Sequence, residues 1–424
     1  MHFRRAQSLA LASTAALTLS LAGCGGSSST SSDGKITIQV VTAADYGYKT
    51  LVGAYEKAHP NIKVQLVQLD GGTLSTKLTT QLAAGRGAPD IVGMVNDNMP
   101  LYLKSSDKFA DFADYGSKTG QWLGWKAQAG SADGKTITGL GTDIGGMALC
   151  YRKDLFAEAG LPTDPAAVGK LWTSWDDLVT VGERFQSKVP GVKFVDSPGN
   201  VWTAMLGQMD ETFFSAKDDS FDADQNALLK KNFMTVAKLA TAGVTNGVAP
   251  FTPEWHAVLK QGKAAVSVCP AWMLSRIQTD GGDAYKGKWS LAAAPGGGNW
   301  GGSYLMVPKQ GEHVKEAVAL AQWLTAPAQQ EANFASGSYL PSTVEALNAP
   351  AVQNAKSSYF SDAPIGRIYA ASALKLKGDF YRGGDDGTAQ GPFLAALLRV
   401  VQGNQKPEAA WKQAIADTKA ALQQ

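Results

Sequence analysis

The chain has 424 residues, 44% of them hydrophobic, which is more than one core usually organises, so two domains of roughly 150–200 residues are expected. Beyond Arg4 and Arg5 at the start, bases and acids balance at 37 of each. Such a body has no field to steer nucleic acid or another polyanion, and its 11 Trp with only 18% charged residues suit a polar but uncharged cargo.

In chain order, Arg4 and Arg5 precede an apolar stretch from Leu9 to Leu21 that is too short to anchor stably as a membrane-spanning helix. The stretch closes on Leu21-Ala22-Gly23-Cys24, which resembles a bacterial lipoprotein signal. The resemblance implies that residues 1–23 are removed and that Cys24 is lipidated, placing the body on the extracytoplasmic face of the cell membrane. Residues 24–33 are then a Gly/Ser tether, a flexible coil with a reach on the order of 15–20 Å. No other segment is apolar for 18 or more residues, so no span is expected. Cys150 and Cys269 remain, and two thiols outside the cytosol suggest one bridge, the alternative being two unrelated buried thiols.

Ile36, Ile38 and Val40 alternate as a strand; Tyr48, Leu51, Val52 and Tyr55 share one face of a helix that Pro60 ends. Ile62, Val64 and Leu66 mark a second strand, Leu74, Leu78 and Leu82 a second helix, and Pro89 to Val92 a third strand. Strands alternating with helices predict a mostly parallel sheet whose ligands lie beyond the carboxyl ends of its strands. Further on, Met147 to Tyr151 reads as a strand, Asp154 to Ala159 as a helix, and Ser174-x-x-Asp177 as the cap of another. Ala264 to Val268 is a strand and Gly296 to Gly302 a Gly-rich loop. Helical stripes run through Val314 to Leu324, Leu394 to Val401 and Trp411 to Leu422.

The ordered motifs resemble the family 1 extracellular solute-binding proteins, the carbohydrate-capturing lipoproteins of ABC importers. They are Ala54-Tyr55-Glu56-Lys57-Ala58-His59-Pro60, Ala88-Pro89-Asp90-Ile91-Val92, Cys150-Tyr151-Arg152-Lys153-Asp154-Leu155-Phe156, Cys269-Pro270-Ala271-Trp272-Met273, Trp300-Gly301-Gly302-Ser303 and Tyr339-Leu340-Pro341-Ser342. The resemblance implies an α/β, two-lobe, periplasmic-binding-protein-like fold of type II, each lobe a mostly parallel sheet flanked by helices. A hinge crossed more than once joins the lobes. Residues 34–146 with 303–350 would form the N-terminal lobe, and 147–302 with 351–424 the C-terminal lobe. The Cys150 and Cys269 motifs look most like those of cello- or xylo-oligosaccharide binders. The partners implied are an oligosaccharide, permease subunits of the importer and the membrane through Cys24. No cofactor, metal or nucleic acid is called for, and a monomer is expected.

A sugar needs aromatic plates for its faces and Asp, Asn, Arg or backbone groups for its hydroxyls. Trp272 follows the strand that Pro270 breaks, and Trp300 and Gly301 lie in the Gly-rich loop. Asp45 and Tyr46 follow the first strand, and Asn96, Asp97 and Asn98 follow the third; turn chemistry also favours Asn and Asp there. Asp143 approaches the hinge, Asn200 and Trp202 match a site loop by family order, and Arg367, Tyr381 and Arg382 are rim candidates, with a solvated charge as the alternative.

A glycoside hydrolase would need two carboxylates flanking one bond, and no pair is singled out by spacing. Ser105-x-x-Lys108 lacks companion motifs, and His59, His256 and His313 are far apart with no Cys-x-x-Cys, so catalysis and zinc are not expected. A peptide, amino acid or polyol remains an alternative cargo for the same fold.

Overall fold

The structure, a computed structural model, describes residues 34–376 and 380–423; the lipobox and tether lie outside the described residues. Nine strands form one mixed sheet: β1 Ile36–Thr42, β2 Ile62–Gln68, β3 Ile91–Val95, β4 Leu140–Arg152, β5 Lys193–Val195, β6 Ala264–Pro270, β7 Trp289–Ala293, β8 Asn299–Met306 and β9 Leu340–Pro341. Their order is β2-β1-β3-β8-β4-β6-β5, with β7 and β9 also paired to β4. Neighbours are parallel at the two ends, where β1 meets β2 and β3 and where β5 meets β6. Around β4 and β8 they are antiparallel.

Local chemistry explains the elements. In β1, Ile38 and Val40 are fully buried, as period-two alternation requires. The helix Gly71–Ala84 is capped by Asp70, whose Oδ1 accepts from the Thr73 amide at 2.9 Å, and it buries Leu74, Leu78 and Leu82. The helix Asp177–Gln186 is fastened differently from the sequence reading. Ser174 does not cap it; instead the Asp177 carboxylate reaches back and accepts from the amides of Thr173 and Ser174, both at 2.8 Å.

Separate cores put two bodies on either side of the central strands. One body packs Ile38, Val40, Tyr55, Leu305 and Leu324 on one sheet face and Leu78, Val92 and Met306 on the other. The second packs Met147, Leu149, Tyr151, Phe156, Trp202, Phe393 and Trp411. A third cluster gathers Ile144, Ala148, Cys150, Trp255, Cys269, Leu340, Leu347 and Tyr369, together with Leu123 and Trp125. Strand β4 feeds these clusters by alternation: Met147, Leu149 and Tyr151 face one way, Ala148 and Cys150 the other.

All thirteen residues of β4 are buried, and the strand belongs to both bodies. Its first half pairs with β8 and β9, its second with β6 and β7. At the changeover the register with β8 slips between Ile144 and Gly146. Only glycine fits there: a Cβ on Gly145 would collide with the Trp300 carbonyl, and Gly302 has φ 88° with the Asp143 carbonyl against it. Asn299 pins the crossing, its Oδ1 accepting from the Gly145 amide at 2.8 Å and its Nδ2 donating to the Gly301 carbonyl at 3.0 Å. The stretch read as a Gly-rich loop therefore becomes strand from Asn299 onward, because glycine tolerates the bulged geometry of the crossing.

Cys150 and Cys269 are bonded, with Cα atoms 5.5 Å apart across 119 positions of sequence. Cys150 lies opposite Ser267 and Cys269 opposite Ala148, so the two thiols are diagonal neighbours on one face. That face lies under the helix Ile365–Leu374, whose Tyr369 hydroxyl donates to the Cys269 carbonyl at 2.9 Å. Both cysteines are fully buried in one hydrophobic cluster, so the bridge staples the core. Replacing both cysteines with Ala should cost about 2–4 kcal/mol of stability and leave ligand affinity of the folded protein unchanged. Denaturant melts and calorimetric titration check the two halves separately.

Candidate functional site

Where the crossing strands meet, the two bodies face each other across a narrow cleft with about 60 Å³ of free space. Its walls come from the turn after β3 (Asn96, Asp97), the helix Gly124–Ala129 (Trp125, Ala129), the helix Pro198–Leu206 (Thr203, Leu206), the start of β8 (Asn299, Trp300, Gly301) and the segment Phe380 to Gln390. Past Phe380 the cleft opens into a groove lined by Met99, Pro100, Leu103, Lys104, Tyr381 and Gly384, with Asn96, Ala129 and Arg382 shared by both spaces.

The polar wall carries charges of both signs. Asp97 is open to the cleft, yet the protein massed around it raises its carboxyl pKa, opposed by Arg382 and Lys126. Arg382 is tied down: Nη1 donates to the Tyr381 and Met209 carbonyls at 2.7 and 3.1 Å, and Nη2 to the Leu206 carbonyl at 2.8 Å. It thus caps the C-terminal end of the helix Pro198–Leu206, where a cation is favoured. Beside it, Asp386 accepts from the Thr212 hydroxyl at 2.7 Å, and burial pushes its carboxyl up to about 6 against the pull of Arg382. Two buried polar atoms of the cleft wall have no hydrogen-bond partner among the described residues, Asn96 Oδ1 and Trp125 Nε1, and behind the wall the fully buried Lys126 Nζ has none either. Lys126 sits 3.6 Å over the Tyr304 ring, and burial lowers its ammonium to about 7 despite Asp143 and Asp97.

Aromatic rings supply the rest. Trp125 meets Phe380 edge-on across the cleft at 5.9 Å. Trp272 stands edge-to-face to Trp300 at 5.5 Å and donates its indole N–H to the Trp300 carbonyl at 2.8 Å. At the outer end, Lys104 of the first body pairs with Asp219 of the second at 2.8 Å, and Asp219 also accepts from the Tyr381 hydroxyl at 2.7 Å. Lys104 keeps 59% of its side chain exposed, so this bridge is worth about 0–1 kcal/mol towards holding the bodies together.

Of the residues singled out in the sequence, Asn96, Asp97, Trp300, Gly301, Tyr381 and Arg382 line the cleft or its groove, and Trp272 braces Trp300 from behind. Asp143 is buried behind the wall, accepting from the Thr142 hydroxyl at 2.7 Å, and Tyr46 belongs to the first core. Asn98 turns back to donate to Met94 Sδ. Asp45 is exposed and accepts from the Gly47 amide at 2.9 Å, the turn chemistry that Asp favours by itself. Arg367 is exposed beside a separate surface hollow with Lys375.

Asn200 and Trp202 do not lie on a loop but inside the helix Pro198–Leu206, both buried away from the cleft. Trp202 packs among Phe213, Phe233 and Phe393. Asn200 donates at 2.7 Å to Asp196, a buried carboxylate that also accepts from Trp255 and Ser267, and burial raises Asp196 to about 6. Sequence reading missed Trp125, Asn299, Phe380, Asp386 and Gln390. Asp386 stood four residues beyond Arg382 in a Gly- and Asp-rich run, a signal that was legible; Trp125 stood in an unremarked helix.

Asp196 and Asp386 give the fold a pH dependence with a definite sign. Each binds its proton more tightly when folded than the ordinary carboxylate near 4, so the stability it contributes is present below pH 4 and lost as pH rises through about 6. The loss should be on the order of 2 kcal/mol per group. Thermal melts from pH 4 to 7 should fall less steeply in the D196N and D386N variants than in the parent.

Two compact bodies joined by shared strands around a cleft that opens into a groove of about 510 Å³ define a two-lobed binding protein of the type II class. Residues 34–331 match the family described as bacterial extracellular solute-binding protein, and the chain belongs to that family. A crystal structure of an extracellular solute-binding protein of family 1 superposes with a TM-score of 0.83, at 37% identity over 91% of this chain and 99% of that one. The arabinooligosaccharide-binding protein of Bacillus subtilis (strain 168) is 27% identical over 72% of this chain and 73% of its own. An ABC transporter-associated binding protein from B. animalis subsp. lactis Bl-04, solved with β-1,6-galactobiose, shares the fold with a TM-score of 0.75 at 20% identity, covering 91% of this chain and 97% of that one.

Proposed function

We propose that the protein captures an oligosaccharide between its two bodies and delivers it to the permease of an ABC importer. One observation carries the reading: the cleft combines indole rings with charged groups that already face one another, Asp97 and Asp386 beside Arg382, which leaves the rings and the unpartnered polar atoms for an uncharged, hydroxyl-rich ligand. The Asn96 carbonyl and the Trp125 N–H, both lacking protein partners, suit hydroxyl groups that donate and accept. The names of the Bacillus subtilis relative and of the galactobiose complex support a sugar cargo. Within the sugars, the Cys150 and Cys269 motifs favour cello- or xylo-oligosaccharides, and the relative's name adds arabino-oligosaccharides to the panel worth testing.

The juxtaposition of Arg382 with Asp97 would also suit the two charges of an amino acid. Arg382 has already committed three of its five N–H donors to backbone carbonyls, which favours the neutral cargo. Capture is a population shift: the ligand must bind the closed arrangement more tightly than the open one. The proposed lobes are residues 34–146 with 303–350 and 147–302 with 351–424, closing about the β4–β8 crossing. Cys24 is proposed as the lipid anchor, with the body outside the cytoplasm; among the described residues no helix is long and apolar enough to cross a membrane.

A thermal-shift panel of cello-, xylo- and arabino-oligosaccharides against amino acids should give a rise only with sugars, about 2.7 kcal/mol of added stability at a hundred times the dissociation constant. Trp300→Ala should then weaken sugar binding by about thirtyfold in calorimetric titration while the protein stays folded; unchanged affinity would remove the indole from the site. Cys24→Ala should release a folded, ligand-binding protein from the membrane fraction, and its retention there would contradict the anchor.

A further inference from the structure

Phe251 is an outlier in two respects. It is 47% exposed, and its backbone sits at φ 64°, the left-handed region that a bulky side chain enters only at a cost glycine would not pay. The loop that holds it is not loose. The Ser197 hydroxyl donates to the Val248 carbonyl at 2.7 Å, Gly199 packs directly under Pro250, and Thr252 both donates to the Ala249 carbonyl at 3.0 Å and caps the helix Pro253–Lys260. A residue just before such a cap commonly packs on the helix it precedes, which accounts for the Trp255 ring 5.3 Å away. It does not account for the other two contacts. The same Phe251 ring lies 6.1 Å from Trp272 and 6.2 Å from Trp300, the cleft-lining indole and the one that braces it.

We propose that Phe251 forms, with Trp272 and Trp300, an outer sugar-stacking subsite that continues the cleft and sets the ligand length the protein prefers. The inference rests on the oligosaccharide reading. Trp300 already lines the cleft, so a chain longer than the enclosed space is led along its indole to the next ring, and the exposed face of Phe251 is the apolar plate in reach. A sugar ring presents its C–H face to such a plate and leaves its hydroxyls in water, so the subsite needs no polar partner and tolerates different linkages.

Calorimetric titration of the intact protein with xylo- and arabino-oligosaccharides of two to six units tests the proposal. Phe251→Gly removes the plate and relieves the backbone, so the variant should melt no more than a few degrees below the parent. It should bind the longest sugars roughly tenfold more weakly and the disaccharides within twofold of the parent. Phe251→Trp should restore the preference for length. Equal loss at every length, or no loss at any, with the parent still binding these sugars, overturns the subsite alone. No binding by the parent to any sugar of either series, nor to cello-oligosaccharides of the same lengths, overturns the oligosaccharide reading and the subsite with it.

Discussion

Strand β4 cannot be assigned to one body, and the molecule is organised around that fact. Its thirteen residues are buried throughout, paired to β8 at one end and to β6 and β7 at the other. The changeover is steric: at Gly145 and Gly302 two backbones approach so closely that no side chain fits. Rotation of one body against the other therefore concentrates in a few residues that lack a Cβ and can absorb changes in φ and ψ. The cleft lies at this crossing, with Trp300 and Gly301 inside it and Asn299 fastening β8 to β4. The polar wall of the cleft comes partly from the turn after β3 and partly from the segment Phe380 to Gln390, so under the proposed capture the site would be assembled by closure.

The electrostatics of that wall follow from burial. Asp97, Arg382, Asp386 and Lys126 crowd a region where each isolated charge would be costly, and each is shifted towards neutrality by desolvation and held back by its neighbours. Within the cluster the acids and bases oppose one another, Arg382 acting on both Asp97 and Asp386. On the proposed reading, affinity would rest on apolar contact with the indoles and on hydroxyl hydrogen bonds. Lys104–Asp219, at the mouth of the groove, is too exposed to decide the open–closed equilibrium by itself.

The first body was readable from sequence because its strands and helices obey simple periodicities: Ile36 to Val40, Leu74 to Leu82 and Ile91 to Val92 all fall in the elements expected. The turn after β3, which lines the cleft, was legible as a candidate because strand ends are where open sheets expose backbone and short polar side chains. What escaped sequence reading was set by tertiary geometry. Gly298 to Gly302 looks like a loop by composition, yet the glycines are there so that β8 can lie against β4. Trp202 and Asn200 have the chemistry of a sugar site, but helical spacing turns both inward, onto Phe393 and Asp196. Phe251 has no sequence signal at all, because its meaning lies in a backbone angle and in two indoles that reach it from β8 and from the end of β6.

The central claim, that an uncharged oligosaccharide is held at the β4–β8 crossing, is tested most directly by a crystal structure of the protein grown with the tightest-binding sugar of the panel. The account predicts a sugar ring within about 4 Å of the Trp300 indole, with hydroxyls bonded to Asp97 and Asn96. A sugar bound only in the surface hollow beside Arg367 and Lys375, with none at Trp300, would contradict it.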